Sequence, residues 1–240
     1  MGWFLRDLVR LDFGQNQSAM PVRIVPKNYR NLTGLVLNTR TQSMTAFESS
    51  LERDFLLLLD FDLEVEFYEE QPVTITYQDD RGRRRTYTPD VFVRYRMDPL
   101  KAKPTSPLLC EVKYRDDLRQ YWTMYRPKFR AAGRYARQRG WRFRLVTERD
   151  VRTPYLENVK FLRSYRTMPL NEPHRTRLLA ALSVLGEAHP TSLLNAISQD
   201  RRQQAQILPT LWQLLATRQI GTDLNQPLTM QCRIWLKESS

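Results

Sequence analysis

The sequence predicts an α/β fold, a mixed sheet flanked by helices, followed by a small winged helix-turn-helix domain. Three observations predict it. Short period-two segments lie between two helix-period segments, a proline-rich break interrupts that order near residues 167–173, and three helical segments with two strands follow the break. This divides the chain into a basic N-terminal arm at 1–42, a sheet domain at 43–168 and a C-terminal domain at 169–240.

The arm is loop-like. Gly14, Gln15, Asn16, Gln17 and Ser18 precede Pro21 and Pro26, with Arg23, Lys27, Arg30 and Arg40 scattered through it and a short helix expected at 3–13. A helix is expected over 43–60, capped by Ser43, because Phe47, Leu51, Phe55, Leu58 and Leu59 recur at three- and four-residue spacing. Strand signals follow at 65–67, 73–77, 86–95 and 108–114, the second and third joined by a turn at Asp79-Asp80-Arg81-Gly82. A basic helix over 116–139 stops at Gly140, which suits the position just past a helix end. Residues 141–146 alternate as a strand and 155–165 read as a helix. Beyond the break, helices are expected at 175–185, 192–198 and 203–218, and strands at 220–223 and 228–236 around Asn225-Gln226-Pro227. Leu211, Trp212, Leu214 and Leu215 are expected in the core of that last domain.

Composition narrows the partner. The 240 residues carry a formal charge of +12, which biases the protein towards polyanions. The charge is uneven: residues 41–80 hold eleven acids against one base, and residues 113–166 hold sixteen bases against five acids. That asymmetry suggests an acidic pocket beside a basic surface, or two oppositely charged solvated faces. Cys110 and Cys232, with His174 and His189, have no metal-ligand spacing. No apolar run approaches a membrane span and no signal peptide is visible, so a cytoplasmic protein is expected.

The chemistry concentrates at Pro89-Asp90 and Cys110-Glu111-Val112-Lys113. Strand alternation puts Glu111 and Lys113 on one face. With Asp90 on a neighbouring strand, two carboxylates and an ammonium would meet. Hard carboxylate oxygens suit Mg²⁺, with Mn²⁺ as a substitute, and Lys113 would stabilise charge on phosphorus or orient water. Only seven of the 38 basic residues are lysines, and Lys113 alone among them has an acid two positions before it. A compact ammonium fits beside a metal-bound water where an arginine fork does not. An ordinary strand salt bridge between Glu111 and Lys113 is the competing reading. Glu48 and Glu52, four apart, would share a helix face, and Gln71 could position water or phosphate, or form a strand-edge hydrogen bond. Arg115, Arg119, Arg126, Lys128, Arg130, Arg134 and Arg137 are candidate phosphate contacts, interleaved with Tyr121, Trp122 and Tyr125.

In order, Phe47-Glu48-Ser49-Ser50-Leu51-Glu52-Arg53-Asp54-Phe55, Glu70-Gln71-Pro72, Thr88-Pro89-Asp90-Val91 and Leu109-Cys110-Glu111-Val112-Lys113 resemble the restriction-endonuclease-like PD-(D/E)xK core. More closely they resemble TnsA, the endonuclease subunit of heteromeric bacterial transposases. The resemblance implies a Mg²⁺-dependent nuclease that cuts the 5′ ends of a transposon in double-stranded DNA. Its partners would be a TnsB-like integrase subunit and a TnsC-like AAA+ ATPase. Carried over by position, Glu52 is the helix acid, Asp90 and Glu111 the metal-binding pair, and Lys113 the catalytic lysine; some members have Gln at the position of Glu111. In that family the C-terminal module engages the ATPase, whereas a winged helix taken by itself either reads DNA with its third helix or serves as a protein-binding unit. Two other readings stay open at the sequence level. One is a free-standing restriction or repair nuclease, the other a DNA-binding adaptor acting through its winged helix.

Overall fold

The computed structural model describes residues 33–39, 43–97 and 105–237, and the arm expected at 1–42 otherwise lies outside them. The chain divides into two compact units, one ending at Val151 and the other starting at Arg152.

The first unit begins with an antiparallel pair, β1 (Gly34–Asn38) and β2 (Ser43–Phe47), in which Gly34 faces Phe47. A Cβ at Gly34 would fall 2.7 Å from the Phe47 ring, so the close pairing depends on glycine. This corrects two expectations. Part of the arm is a strand, and the helix expected from Ser43 starts later, as α1 (Ser50–Phe61). The local reason is alternation: Thr45 and Phe47 are buried while Met44 and Ala46 are exposed. The helix then starts at a reciprocal cap. Ser49 Oγ accepts from the Glu52 amide at 3.1 Å, and Glu52 Oε2 accepts from the Glu48 amide at 2.8 Å.

Next come β3 (Val65–Glu70), β4 (Ile75–Gln78), β5 (Arg84–Tyr87) and β6 (Val91–Tyr95). The expected strand at 86–95 is thus two strands, separated at Thr88-Pro89-Asp90, where proline offers no ladder donor. β4 and β5 form a hairpin around Gly82, whose φ of +74° is the left-handed turn conformation. After β7 (Leu108–Val112), α2 (Arg115–Gln138) crosses to β8 (Arg142–Val146), which pairs with β7 in parallel. The four-stranded sheet has the order β3-β6-β7-β8, antiparallel except for its last pair, and is mixed as expected. Gly140, at φ +71°, follows the C-cap Arg139. α3 (Glu148–Val151) closes the unit.

Every residue of β7 is buried, because α1 covers it on one side and α2 on the other. On the α2 side, Phe92, Leu109, Phe129, Ala131, Ala132 and Ala136 form a core with the hairpin residues Ile75 and Tyr87. α2 bends at Tyr121 (φ −114°, ψ 20°), on the N-terminal side of Pro127.

The second unit starts with α4 (Pro154–Arg166), the helix that sequence periodicity grouped with the sheet. Its buried Leu156, Val159 and Leu162 lie on the side packed against a later helix, which is why it goes with the second unit. There follow α5 (Glu172–Leu185), β9 (Glu187–Ala188), α6 (Pro190–Ile197), α7 (Arg201–Ala216), β10 (Ile220–Gly221) and β11 (Ile234–Leu236). The short strands pair in the order β10-β11-β9, so a third strand joins the two expected. Leu211, Trp212, Leu214 and Leu215 are buried in α7, as expected, and Trp212 packs edge-on against Phe161 of α4. Asn158 of α4 donates to the carbonyls of Leu224 and Gln226, and accepts from the amide of Leu228. Among the described residues no helix is long and apolar enough to cross a membrane.

Candidate active site

The end of β7 carries Glu111 on the strand and Lys113 just beyond it, where the backbone stays in line because Lys113 N donates to Val146 O of β8. Asp90 sits at the entry to β6, the neighbour of β7, and is fastened twice. Its carbonyl accepts from the Gln71 amide at 2.8 Å, and its Oδ2 accepts from the Val112 amide at 2.7 Å. Gln71 holds a positive φ of 46° to make the first of these bonds, an uncommon conformation for a residue with a Cβ. Its side chain donates to Glu48 Oε1 at 3.2 Å. Glu48 lies before α1 rather than on its face, and its own amide meets Glu52.

The Lys113 ammonium stands 3.4 Å from Asp90 Oδ2 and 3.4 Å from Glu111 Oε1, and donates to Val112 O at 3.1 Å. The sheet thus brings together the two carboxylates and the lysine singled out in the sequence. Glu52 is close enough for its charge to act on both Asp90 and Lys113. Its oxygens, however, serve the helix cap: Oε2 takes the Glu48 amide and Oε1 takes the Ser49 hydroxyl at 3.1 Å. Among the described residues no three His, Cys, Asp or Glu side chains are gathered as a metal site. Glu52, expected as the helix acid of the site, stands beside the Asp90–Glu111 pair with both of its oxygens engaged in the cap. Asp90 and Glu111 are the hard carboxylates that could hold Mg²⁺, which takes one or two acids and keeps its other positions for water and phosphate, and the Lys113 ammonium lies between them.

Electrostatics follows from this crowding. Burial raises Asp90 most, Lys113 opposes it, and Glu111 and Glu52 add to the rise, so Asp90 is pushed up to about 7. Burial by itself would depress Lys113, but Asp90, Glu111 and Glu52 outweigh it and hold the ammonium above its ordinary value. Glu52 is raised, mainly by burial, against the Glu48 amide bond that favours its charge.

Glu111 has two further partners that sequence reasoning did not pair with it. Tyr87 donates its hydroxyl to Oε2 at 2.6 Å, and Lys128 Nζ donates to Oε1 at 2.9 Å. Burial, then the Glu111 charge, keeps the Tyr87 phenol protonated far above its ordinary value. A signal for Lys128 was present: it is a rare lysine in an arginine-rich helix, the same oddity that marks Lys113. Of the expected phosphate contacts, Arg119, Arg126 and Arg130 are exposed and Arg115 is half-buried, whereas Lys128 turns inward. Ser49-x-x-Glu52 was likewise legible as a capping box.

Two family models match the chain. One, described as TnsA-like endonuclease N terminal, covers residues 62–148, and the other, TnsA endonuclease C terminal, covers residues 150–224. The first spans Asp90, Glu111, Lys113, Tyr87 and Lys128 but begins after Glu52. The matches meet within a few residues of the division between Val151 and Arg152. No curated protein matches the chain.

Proposed function

The chain belongs to the TnsA-like endonucleases, the nuclease subunits of transposases, and from that premise we propose that it hydrolyses the 5′ ends of a transposon with the help of Mg²⁺. The observation that carries this reading is the Lys113 ammonium held 3.4 Å from both Asp90 and Glu111 at the end of a fully buried strand. Asp90 and Glu111 would hold the ion, and Mn²⁺ would substitute for it. When bound, Mg²⁺ supplies Lewis-acid stabilisation of the charge that builds on the scissile phosphate.

The protein's own residues do the rest. Lys113, kept charged by three carboxylates, is a poor base and a good electrostatic partner for the negative phosphoryl oxygens. Asp90 is fixed by backbone amides at both its carbonyl and its carboxylate, so it keeps its place as charge moves. Glu52 ties the start of α1 to the site and adds negative potential without leaving its cap. The exposed arginines Arg119, Arg126 and Arg130 on α2 would meet the DNA backbone.

We assign the second unit to partner contact. Its buried polar side chains, Asn158, Thr210 and Gln213, are neutral, which suits a scaffold better than a reactive centre. The partners would be a TnsB-like subunit that cuts and joins the 3′ ends and a TnsC-like ATPase.

The test is strand-specific mapping of cuts at transposon ends, with and without those partners. Asp90→Ala and Lys113→Ala proteins should lose the 5′ cuts while still folding and assembling. Undiminished 5′ cleavage in both variants overturns the reading, and cutting of plain DNA without partners would identify a free-standing nuclease instead.

A further inference from the structure

Glu111 is 1% exposed, and a carboxylate that deep needs its charge balanced. Lys113 cannot do this alone, since it is shared with Asp90 at the same 3.4 Å. Lys128 is the cation given over to Glu111, at 2.9 Å from Oε1. It reaches there through a box of rings: Nζ lies 4.6 Å from the centre of Tyr87, 4.7 Å from Tyr125 and 5.1 Å from Phe129. Ring faces stabilise an ammonium that has left water. Tyr87 holds the other carboxylate oxygen, so Oε1 is the one contested by Lys113 and Lys128.

We propose that Lys128 is an internal counter-cation for Glu111, which balances the carboxylate in the metal-free protein and competes for Oε1 with the divalent cation that the site takes up. The inference rests on the reading of Asp90 and Glu111 as the metal pair. Two positive charges cannot both claim one oxygen at full strength, so whatever strengthens the Lys128 contact raises the metal concentration the site requires. Lys128 is thus a positioning residue. Its effect in this role is on how readily the carboxylate pair fills. The aromatic box keeps the displaced ammonium favourably placed near the site, where it can return when the ion leaves.

The experiment is a Mn²⁺ titration of the full chain without DNA, read by thermal melting and by calorimetry, on wild type, Lys128→Met, Lys128→Gln and Lys128→Arg. The two neutral variants should melt lower in EDTA and half-saturate at about tenfold less Mn²⁺, because the competitor is gone. The Arg variant keeps the charge and should stay within about twofold of wild type. General damage to folding would lower every melting point without tightening metal binding, and two neutral variants guard against one that does not fold. Half-saturation that is unchanged or higher in the neutral variants, with wild type still responding to Mn²⁺, overturns the counter-cation role alone. A wild type that binds no Mn²⁺ overturns the metal pair itself, and this inference with it.

Discussion

The two units bury polar groups in opposite ways. In the first, Glu111 is enclosed by side chains that carry or share protons: Lys113, Lys128 and Tyr87. In the second, Asn158 is enclosed by backbone, with two carbonyls and one amide as its partners. Backbone partners are covalently fixed and electrically neutral, so the amide clamp serves only to join α4 to the turn that follows β10. Ionic side-chain partners can be exchanged for a metal or a phosphate at modest structural cost. The contrast teaches where to look for chemistry: burial marks both sites, and the kind of partner separates them.

The comparison can be broken at either end. The largest effect should come from Lys113→Met, which removes the shared ammonium. Cleavage should fall by about 10²–10³-fold, as when one preorganised transition-state donor is lost, with an unchanged circular dichroism spectrum. A variant that cuts within a few-fold of wild type would reduce Lys113 to an ordinary strand salt bridge.

Asn158→Leu should act in the other unit and in the other currency. It strands two carbonyls and one amide, and should cost about 2–3 kcal/mol in denaturant melts while leaving the Mn²⁺ response untouched. A changed metal response would mean that the clamp is more than structural.

A smaller effect is expected from pH on the metal-free protein. Asp90 rises from an ordinary 3.8 to about 7 on folding. Between those values the folded chain keeps a proton that the unfolded chain has released, so stability falls as pH rises through the window and levels off above it. Glu52, also raised, adds to the same slope. Melting in EDTA should therefore drop by several degrees from pH 5 to pH 8, and a rise over that range would refute the crowding of carboxylates. The smallest change should be Ser49→Ala, which removes a helix cap at a cost of about 1 kcal/mol in denaturant melts. Its use is to show whether Glu52 reaches the site only through the cap, since cleavage should then fall with it.

Much of the first unit was legible because its signals are local. Strand alternation paired Glu111 with Lys113, the glycine after α2 marked its end, and the order of strands and helices implied a mixed sheet. The β1–β2 pair was missed because five residues such as Ser43–Phe47 run straight into a capped helix, and the large residues Phe47 and Leu51 satisfy a helical spacing as well. Pro89 hid a strand break for a similar reason, since the segments that flank Pro89-Asp90, with Thr86 to Thr88 before and Val91 to Val93 after, are β-formers.

By itself, then, the sequence determined the fold class, the candidate trio Asp90, Glu111 and Lys113, and the segregation of acids from bases, because each depends on residue type and short-range period. Only the tertiary structure decided that Glu52 is bound up in its own cap, that α4 packs with the second unit, and that Lys128 points inward. A helix projects side chains in every direction, and spacing cannot say which direction is inside until another element packs there. For Lys128 that element is the β4–β5 hairpin, whose Tyr87 supplies both a wall of the ring box and the hydroxyl on Glu111.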